Sequence, residues 1–215
     1  MRFAPEGRPF FLIGGLILLG FVAAAWKRGG AWCVPLALWL PVTAWLLVFF
    51  RDPLREGPRG DRLVIAPADG RVVSVLDLDE PAFVRGRATR VSIFMTIFDV
   101  HVNRHPVSGI VKLRDYRPGR FVNATFDKAS EANERMSLGV LTPHGPVLVR
   151  QIAGLIARRI VTDPGVGDSV RQGERLGMIR FGSRVDTFLP PGARVRVRVG
   201  DLARAGVTVI AEWAE

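Results

Sequence analysis

The sequence predicts a mainly β domain behind an N-terminal hairpin of two membrane helices, and two observations lead to this prediction. Residues 9–26 and 31–50 contain no charged side chain, and about 20 apolar residues cross a hydrocarbon core as a helix. From Arg51 onward the chain consists of short runs of Val, Ile and Leu that Gly, Pro and Asp interrupt, a pattern typical of all-β domains. We therefore expect a hairpin (1–50), a polar linker (51–62) and a β-rich domain (63–215).

The charges around the hairpin predict its orientation. Its polar turn holds only Lys27 and Arg28, whereas more arginines flank the two apolar segments on the outside: Arg2, Arg8, Arg51, Arg55, Arg59 and Arg62. By the positive-inside tendency, both ends of the hairpin and the rest of the chain face the cytoplasm, at the cell membrane. Two alternatives stay open: a cleaved signal peptide, against which the second apolar segment argues, and a shallow or re-entrant anchor.

The C-terminal part of the chain repeats a turn followed by Val or Leu, at Gly167-Asp168 and Gly200-Asp201. This rhythm resembles the barrel-sandwich hybrid folds of biotinyl and lipoyl carriers, an architecture that by itself states no function. Arg194, Arg196 and Arg198 alternate with valines. The alternation predicts a strand with one buried side and one side that faces solvent.

The histidines give little support for a metal site. His101 and His105 would share one face of a helix and could there bind one ion. Pro106 and the preceding β-rich run instead favour a strand end, where the two side chains are about 13 Å apart. No Cys pair, His-x-His motif or carboxylate cluster supplies further ligands, so we predict no metal. As structural residues, one of the two would be exposed and the other packed.

The excess of basic residues predicts an anionic partner. Of 30 Lys and Arg and 20 Asp and Glu, four basic residues and one acidic residue precede Arg51, so the remainder carries a net charge of +7. Such a surface beside a membrane attracts anionic lipid, and arginine suits phosphate and carboxylate groups. Arg104 and Arg120 are candidate substrate ligands, although a solvated side chain is the default for each. Nucleic acid is not predicted, because aromatic residues do not interleave with these arginines.

Ser183 and Asp69 would by themselves be turn residues, but their surroundings belong to a larger pattern. Four segments follow one another behind the apolar hairpin: FDVHVNRHPVSG (98–109), NATFDKASEANER (123–135), QIAGLIARRIV (151–161) and RFGSRVDTFLP (180–190). Together they resemble the short, membrane-associated form of phosphatidylserine decarboxylase. The likeness covers nearly the whole chain, from about Asp61 to the C-terminal strands, and the four segments in this order are specific.

The resemblance implies that the chain cuts itself between Gly182 and Ser183. The Ser183 hydroxyl would attack the Gly182 carbonyl, which the absence of a side chain leaves open, after a base has taken the hydroxyl proton. Elimination from the resulting ester would leave a large chain (1–182) and a small chain (183–215) headed by a pyruvoyl group. The two chains would stay together as a heterodimer if their strands interleave.

The resemblance also assigns the acid–base residues. Asp69 of the Ala-Asp-Gly turn and His101 of the Asp-x-His motif match an aspartate–histidine pair, in which the carboxylate orients the imidazole. Longer relatives carry a second histidine three residues after the first. That position holds Arg104 here, and the nearest histidine is His105. Either His101 serves both self-cleavage and decarboxylation, or His105 replaces the missing partner.

The implied reaction is the decarboxylation of phosphatidylserine to phosphatidylethanolamine and CO2. The pyruvoyl ketone would form a Schiff base with the substrate amine and accept the electrons that CO2 leaves behind, and a histidine would protonate the carbanion. Pyridoxal phosphate would work through a lysine, and the soluble part has only Lys112 and Lys128, so we predict no such cofactor. The alternative is a membrane-anchored barrel-sandwich adaptor or carrier without catalysis, although a carrier needs a lysine that the Gly-Ser segment lacks.

Overall fold

The computed structural model describes residues 2–120, 133–154, 159–180 and 183–214. The chain divides into two units, one that ends at Leu54 and one that begins at Arg55. The first unit contains two helices, α1 (Arg8–Arg28) and α2 (Cys33–Phe49). They pack against each other, and the Trp39 indole N–H of α2 donates to the Gly14 carbonyl of α1 over 3.0 Å. Both helices are long and apolar enough to cross a membrane, which confirms the prediction of two apolar N-terminal helices.

The second unit is built from β-strands, so the mainly β prediction is confirmed. Within the described residues its strands are β1 (Leu63–Ile65), β2 (Gly70–Glu80), β3 (Gly86–Met95), β4 (Val102–Arg104), β5 (Gly109–Arg117), β6 (Arg135–Thr142), β7 (Gly145–Ala153), β8 (Arg159–Thr162), β9 (Ser169–Val170), β10 (Arg175–Arg180), β11 (Ser183–Leu189), β12 (Ala193–Val195), β13 (Leu202–Ala203) and β14 (Val209–Trp213).

These strands form three antiparallel sheets around one apolar core. The large, curled sheet has the order β13-β2-β3-β11-β7-β6-β5-β9, and two small sheets have the orders β4-β10-β8 and β1-β14-β12. Val64, Ile93, Val149, Val185 and Ile210 belong to the core. The core therefore takes residues from the large sheet and from the sheet around β14.

Strand β11 lies at the centre of the large sheet, between β3 and β7, and all seven of its residues are buried. Because side chains alternate across a strand, Ser183 lies on the same face as the core residues Val185 and Leu189. Arg184 and Asp186 lie on the other face, where they form a fully buried ion pair. A central strand covered on both faces explains why its sequence shows no alternation of apolar and polar residues.

The predicted C-terminal alternation of buried valine and exposed arginine is confirmed as far as Val197, whereas Val199 is exposed. Arg194, Arg196 and Arg198 are exposed, while Val195 and Val197 are partly buried against the core. The strand itself is shorter than the pattern, since β12 ends at Val195. After β12, Val197 still packs against the core, although it lies outside a regular strand.

Candidate active site

Ser183 begins β11, and its side chain is completely buried. Its backbone is held between two neighbours, since it pairs with Met95 of β3 and with Ala153 of β7. Within the described residues its hydroxyl has no hydrogen-bond partner, whereas buried hydroxyls in folded proteins normally have one. The hydroxyls of Ser92 and Thr187 are also unpartnered there, but they lie in strand interiors and not at a Gly-Ser bond. Ser183 thus presents an unsatisfied oxygen at a fixed position.

The predicted partner of Ser183 in cleavage, Gly182, lies outside the described residues, as do residues 121–132 and 155–158. The described parts of three of the four sequence segments nevertheless meet near Ser183. Asn133 donates from Nδ2 to the Ala153 carbonyl over 2.7 Å, and Ala153 pairs with Ser183. Strand β10 ends at Arg180, three residues before Ser183. The structure therefore brings together segments that are far apart in the chain.

His101 is buried and precedes β4. Its Nδ1 lies 3.0 Å from the Asp99 carbonyl oxygen. Since a carbonyl can only accept, Nδ1 carries the proton, and in the neutral ring the lone pair is then on Nε2, as a general base requires. The Ile179 N–H donates to the His101 carbonyl over 3.4 Å, and Ile179 stands four residues before Ser183, a span of at most about 14 Å. His101 therefore lies at the Ser183 end of β10.

His105 lies at the opposite end of β4. Its backbone N–H donates to the Glu174 carbonyl over 2.8 Å, and β10 covers about 20 Å between Glu174 and Arg180. Burial lowers the pKa of His105 to about 4, so the ring is neutral near pH 7. The expectation that one of the two histidines is exposed is wrong, because both are buried. Among the residues that the structure describes, no three His, Cys, Asp or Glu side chains are grouped as metal ligands.

Asp69 lies in the turn between β1 and β2. Gly70 after it has φ +140°, and the place of a Cβ is taken by the Phe94 carbonyl, so the turn requires glycine. One Asp69 oxygen accepts from Arg55 Nη2 over 2.6 Å and the other from the Ala205 N–H over 2.8 Å. These bonds occupy both oxygens of the carboxylate, and the expected pairing of Asp69 with His101 stays a prediction.

The two arginines predicted to bind substrate lie at separate places. Arg104 donates to the Gly173 carbonyl over 3.1 Å and lies beside Gly206. Arg59 donates to the Gly206 carbonyl over 2.7 Å, so arginines of the expected linker pack against the β-rich unit next to Asp69. Arg120 is exposed, and its carbonyl accepts from the Glu134 N–H over 3.1 Å. Its backbone is thereby close to the asparagine that contacts Ala153.

Sequence reasoning missed a buried row of polar side chains on the face of Ser183. Gln151 donates from Nε2 to Asn103 Oδ1 over 2.8 Å, and Thr162 donates to Gln151 Oε1 over 2.6 Å. Asn103 Nδ2 lies 3.7 Å from the sulfur of Met95, the residue that pairs with Ser183. A signal was present in the sequence, because Gln151 interrupts the apolar run of β7 at an inward-facing position.

Comparison with known proteins gives a family. Residues 42–211 match the family model described as phosphatidylserine decarboxylase. A protein of Symbiobacterium thermophilum named phosphatidylserine decarboxylase proenzyme is 49% identical over 210 residues, which cover 96% of this chain and 94% of that protein. A protein of the same name from Novosphingobium aromaticivorans is 47% identical over 224 residues, which cover 98% of this chain and 86% of that protein.

Proposed function

The chain belongs to the phosphatidylserine decarboxylase family, whose members are carboxy-lyases, and we propose that it decarboxylates phosphatidylserine with a pyruvoyl group made from Ser183. The observation that carries this proposal is the buried Ser183 hydroxyl without a partner in the described structure. The name proenzyme, which both relatives bear, supports a chain that is processed before it acts.

The proposed processing uses residues of this chain alone. His101 Nε2 takes the proton of the Ser183 hydroxyl, whose oxygen attacks the Gly182 carbonyl and moves the acyl group from nitrogen to oxygen. Loss of the Ser183 α-proton and departure of the Gly182 carboxylate break the ester and leave a dehydroalanine. Water then hydrolyses the dehydroalanine to a pyruvoyl group and ammonia. The hydrogen bond from Nδ1 to Asp99 supports His101 as the base, because it fixes the required tautomer.

The surroundings of Ser183 fit a pyruvoyl group. Its position is buried and held by strands on both sides, which excludes bulk water from a ketone. When formed, the group supplies an electron sink for a substrate bound through its amine. In decarboxylation His101 would deliver a proton to the carbon that loses CO2. His105 lies at the other end of β4, away from Ser183, so we assign both steps to His101.

The two apolar helices support a location at a membrane, where the substrate is. We propose that the hairpin anchors the chain in the cell membrane and that the β-rich catalytic domain lies on the cytoplasmic side, because more arginines flank the hairpin than its turn holds. The partners are then anionic phospholipid and, after cleavage, the two chains 1–182 and 183–215 of one heterodimer. Arg104 and Arg120 stay candidates for the substrate phosphate and carboxylate.

Intact mass spectrometry of purified, active protein tests this function. We expect two chains that end at Gly182 and begin at position 183, the small one lighter by one ammonia than a chain headed by serine. Ser183→Ala should remain one inactive chain, whereas Ser169→Ala, a matched change at an exposed serine, should be processed and active. An active enzyme that consists of one unbroken chain would refute the proposal. An unbroken, inactive wild type would favour the adaptor.

A further inference from the structure

A cavity of about 470 Å³ lies on the face of the large sheet opposite to the Ser183 side chain. Ser183 and Asp186 are three residues apart on β11, so they point to opposite faces. Arg150, which lines the cavity, stands directly opposite Asp186 in the register of β7 and β11. The cavity is therefore separate from Ser183, and none of the predicted site residues that the structure describes lines it.

Four arginines from four different strands line this cavity, and we call them the arginine pocket: Arg90 of β3, Arg117 of β5, Arg135 of β6 and Arg150 of β7. Arg117 and Arg135 are direct cross-strand partners. Like charges directly opposite each other destabilise a sheet. The strand register thus places two cations side by side, and a bound anion would offset part of their repulsion.

Arg150 is a largely buried member of the pocket whose contacts define its position. Its guanidinium carbon lies 4.8 Å from the centre of the Phe188 ring, and its side chain is 15% exposed. Burial lowers the pKa of Arg150; the Asp186 and Glu80 charges oppose this, and the Arg135 and Arg117 charges add to it. A guanidinium stacked on an aromatic ring is held in place, which favours a fixed binding geometry.

Three carboxylates at or beside the arginine pocket have defined partners, and one of these partners, Arg117, belongs to the pocket itself; Asp79 is a further carboxylate in the lining. Asp186 forms two hydrogen bonds with Arg184, over 2.6 and 2.9 Å, and Asp115 accepts from Arg117 Nε over 2.8 Å. Glu80 accepts the backbone N–H groups of residues 82, 83 and 84, and its nearest oxygen is 3.9 Å from Arg150 Nη2. The Glu80 carboxylate, which is the nearest to Arg150, thus forms its hydrogen bonds mainly with the backbone of the turn between β2 and β3.

We propose that the arginine pocket binds the phosphate group of a phosphate ester. Arginine donates pairs of parallel N–H groups that match phosphate oxygens, and several arginines converge here on one enclosed space. Leu78, Pro81, Ala82 and Phe188 form an apolar part of the wall, which suits the carbon skeleton attached to the phosphate. Both an anionic lipid headgroup and a soluble phosphate ester present this chemistry.

Isothermal titration of the full-length, detergent-solubilised protein tests the proposal with two probes, glycerol 3-phosphate and dihexanoylphosphatidylglycerol. We expect saturable binding of at least one probe, weakened at least tenfold in Arg135→Gln and in Arg117→Gln. Arg117 is exposed, so its substitution removes a charge without opening the core. Lys112→Gln, on the same strand but outside the pocket, is the matched control and should bind as the wild type does.

The outcomes separate the two sources of phosphate. Binding of the lipid probe alone identifies a headgroup site, and binding of glycerol 3-phosphate alone identifies a site for soluble esters. The proposal is overturned if neither probe binds, or if the arginine variants bind as tightly as the Lys112 control. Binding unaffected by these variants would place the lipid at another site, including that of Ser183. The titration measures ligand binding and does not depend on cleavage of the chain. Binding would therefore be detected even if the protein were not a decarboxylase.

Discussion

Gln151 on β7 donates a hydrogen bond to Asn103 on β4 over 2.8 Å, and both side chains are buried. Strand β4 belongs to the small sheet around β10, whereas β7 belongs to the large sheet that contains Ser183. The bond therefore ties the two sheets together. Asn103 is two residues from His101, so the same bond fixes the histidine relative to the serine.

Gln151→Leu should loosen this connection. The substitution leaves the Asn103 oxygen and the Thr162 hydroxyl buried without their partner, and each such group costs about 1–3 kcal/mol. We expect a lower free energy of unfolding, measured by urea titration in the unprocessed Ser183→Ala chain, and slower cleavage of the otherwise native chain. As a control, Asn103→Leu combined with Gln151→Leu should cost less than the sum of the two single changes. Strict additivity would show that the two side chains do not interact.

His101 and His105 should differ sharply in their effect on processing. His101→Gln removes the proposed base, and general base catalysis contributes roughly 100- to 10,000-fold, so the purified protein should remain mostly one chain. His105→Leu should be processed, because His105 lies beside Glu174 at the far end of β4. Denaturing gels of the two variants give the result. One unbroken band for His105→Leu and two bands for His101→Gln would reverse the assignment.

The buried His105 should make stability depend on acid pH. Its pKa is about 4 in the folded chain against 6.5 for an unperturbed histidine, so between these values the unfolded chain binds more protons and stability rises with pH. The contribution of neutral His105 to the free energy of unfolding is fully present above pH 6.5 and decreases as the pH falls toward 4. It amounts to roughly 3 kcal/mol. The thermal midpoint of His105→Leu should fall less over this range than that of wild type. Equal slopes for the two proteins would contradict this, and His144→Gln, at an exposed histidine, is the matched control.

The single cysteine reports the orientation of the hairpin. Cys33 is exposed and begins α2, directly after the turn between the helices. If the β-rich domain is cytoplasmic, the turn lies on the outer side of the membrane, and a membrane-impermeant maleimide should label Cys33 in intact spheroplasts. Cys33→Ser should remain unlabelled. Labelling that appears only after lysis would invert the proposed topology.

Local sequence patterns predict the helices and most strands, because the length of an apolar segment and a short run of Val, Ile and Leu can be read from residues adjacent in the chain. The bond between Gln151 and Asn103 could not be predicted, since it requires the register of two sheets. The same holds for Asp69, whose partner Arg55 falls in the segment that the sequence marks as a linker. The composition shows an excess of arginine, but only the pairing of β5 with β6 places Arg117 directly opposite Arg135.

The place of β11 between two neighbouring strands also determines how a new chain end would behave. Ordinary termini fray, because little holds their last residues. A terminus created at Ser183 would instead start at the first pair of two ladders, with Met95 on one side and Ala153 on the other. The reactive carbon of such an end would be held by both neighbouring strands, and substrate would have to approach it rather than the reverse.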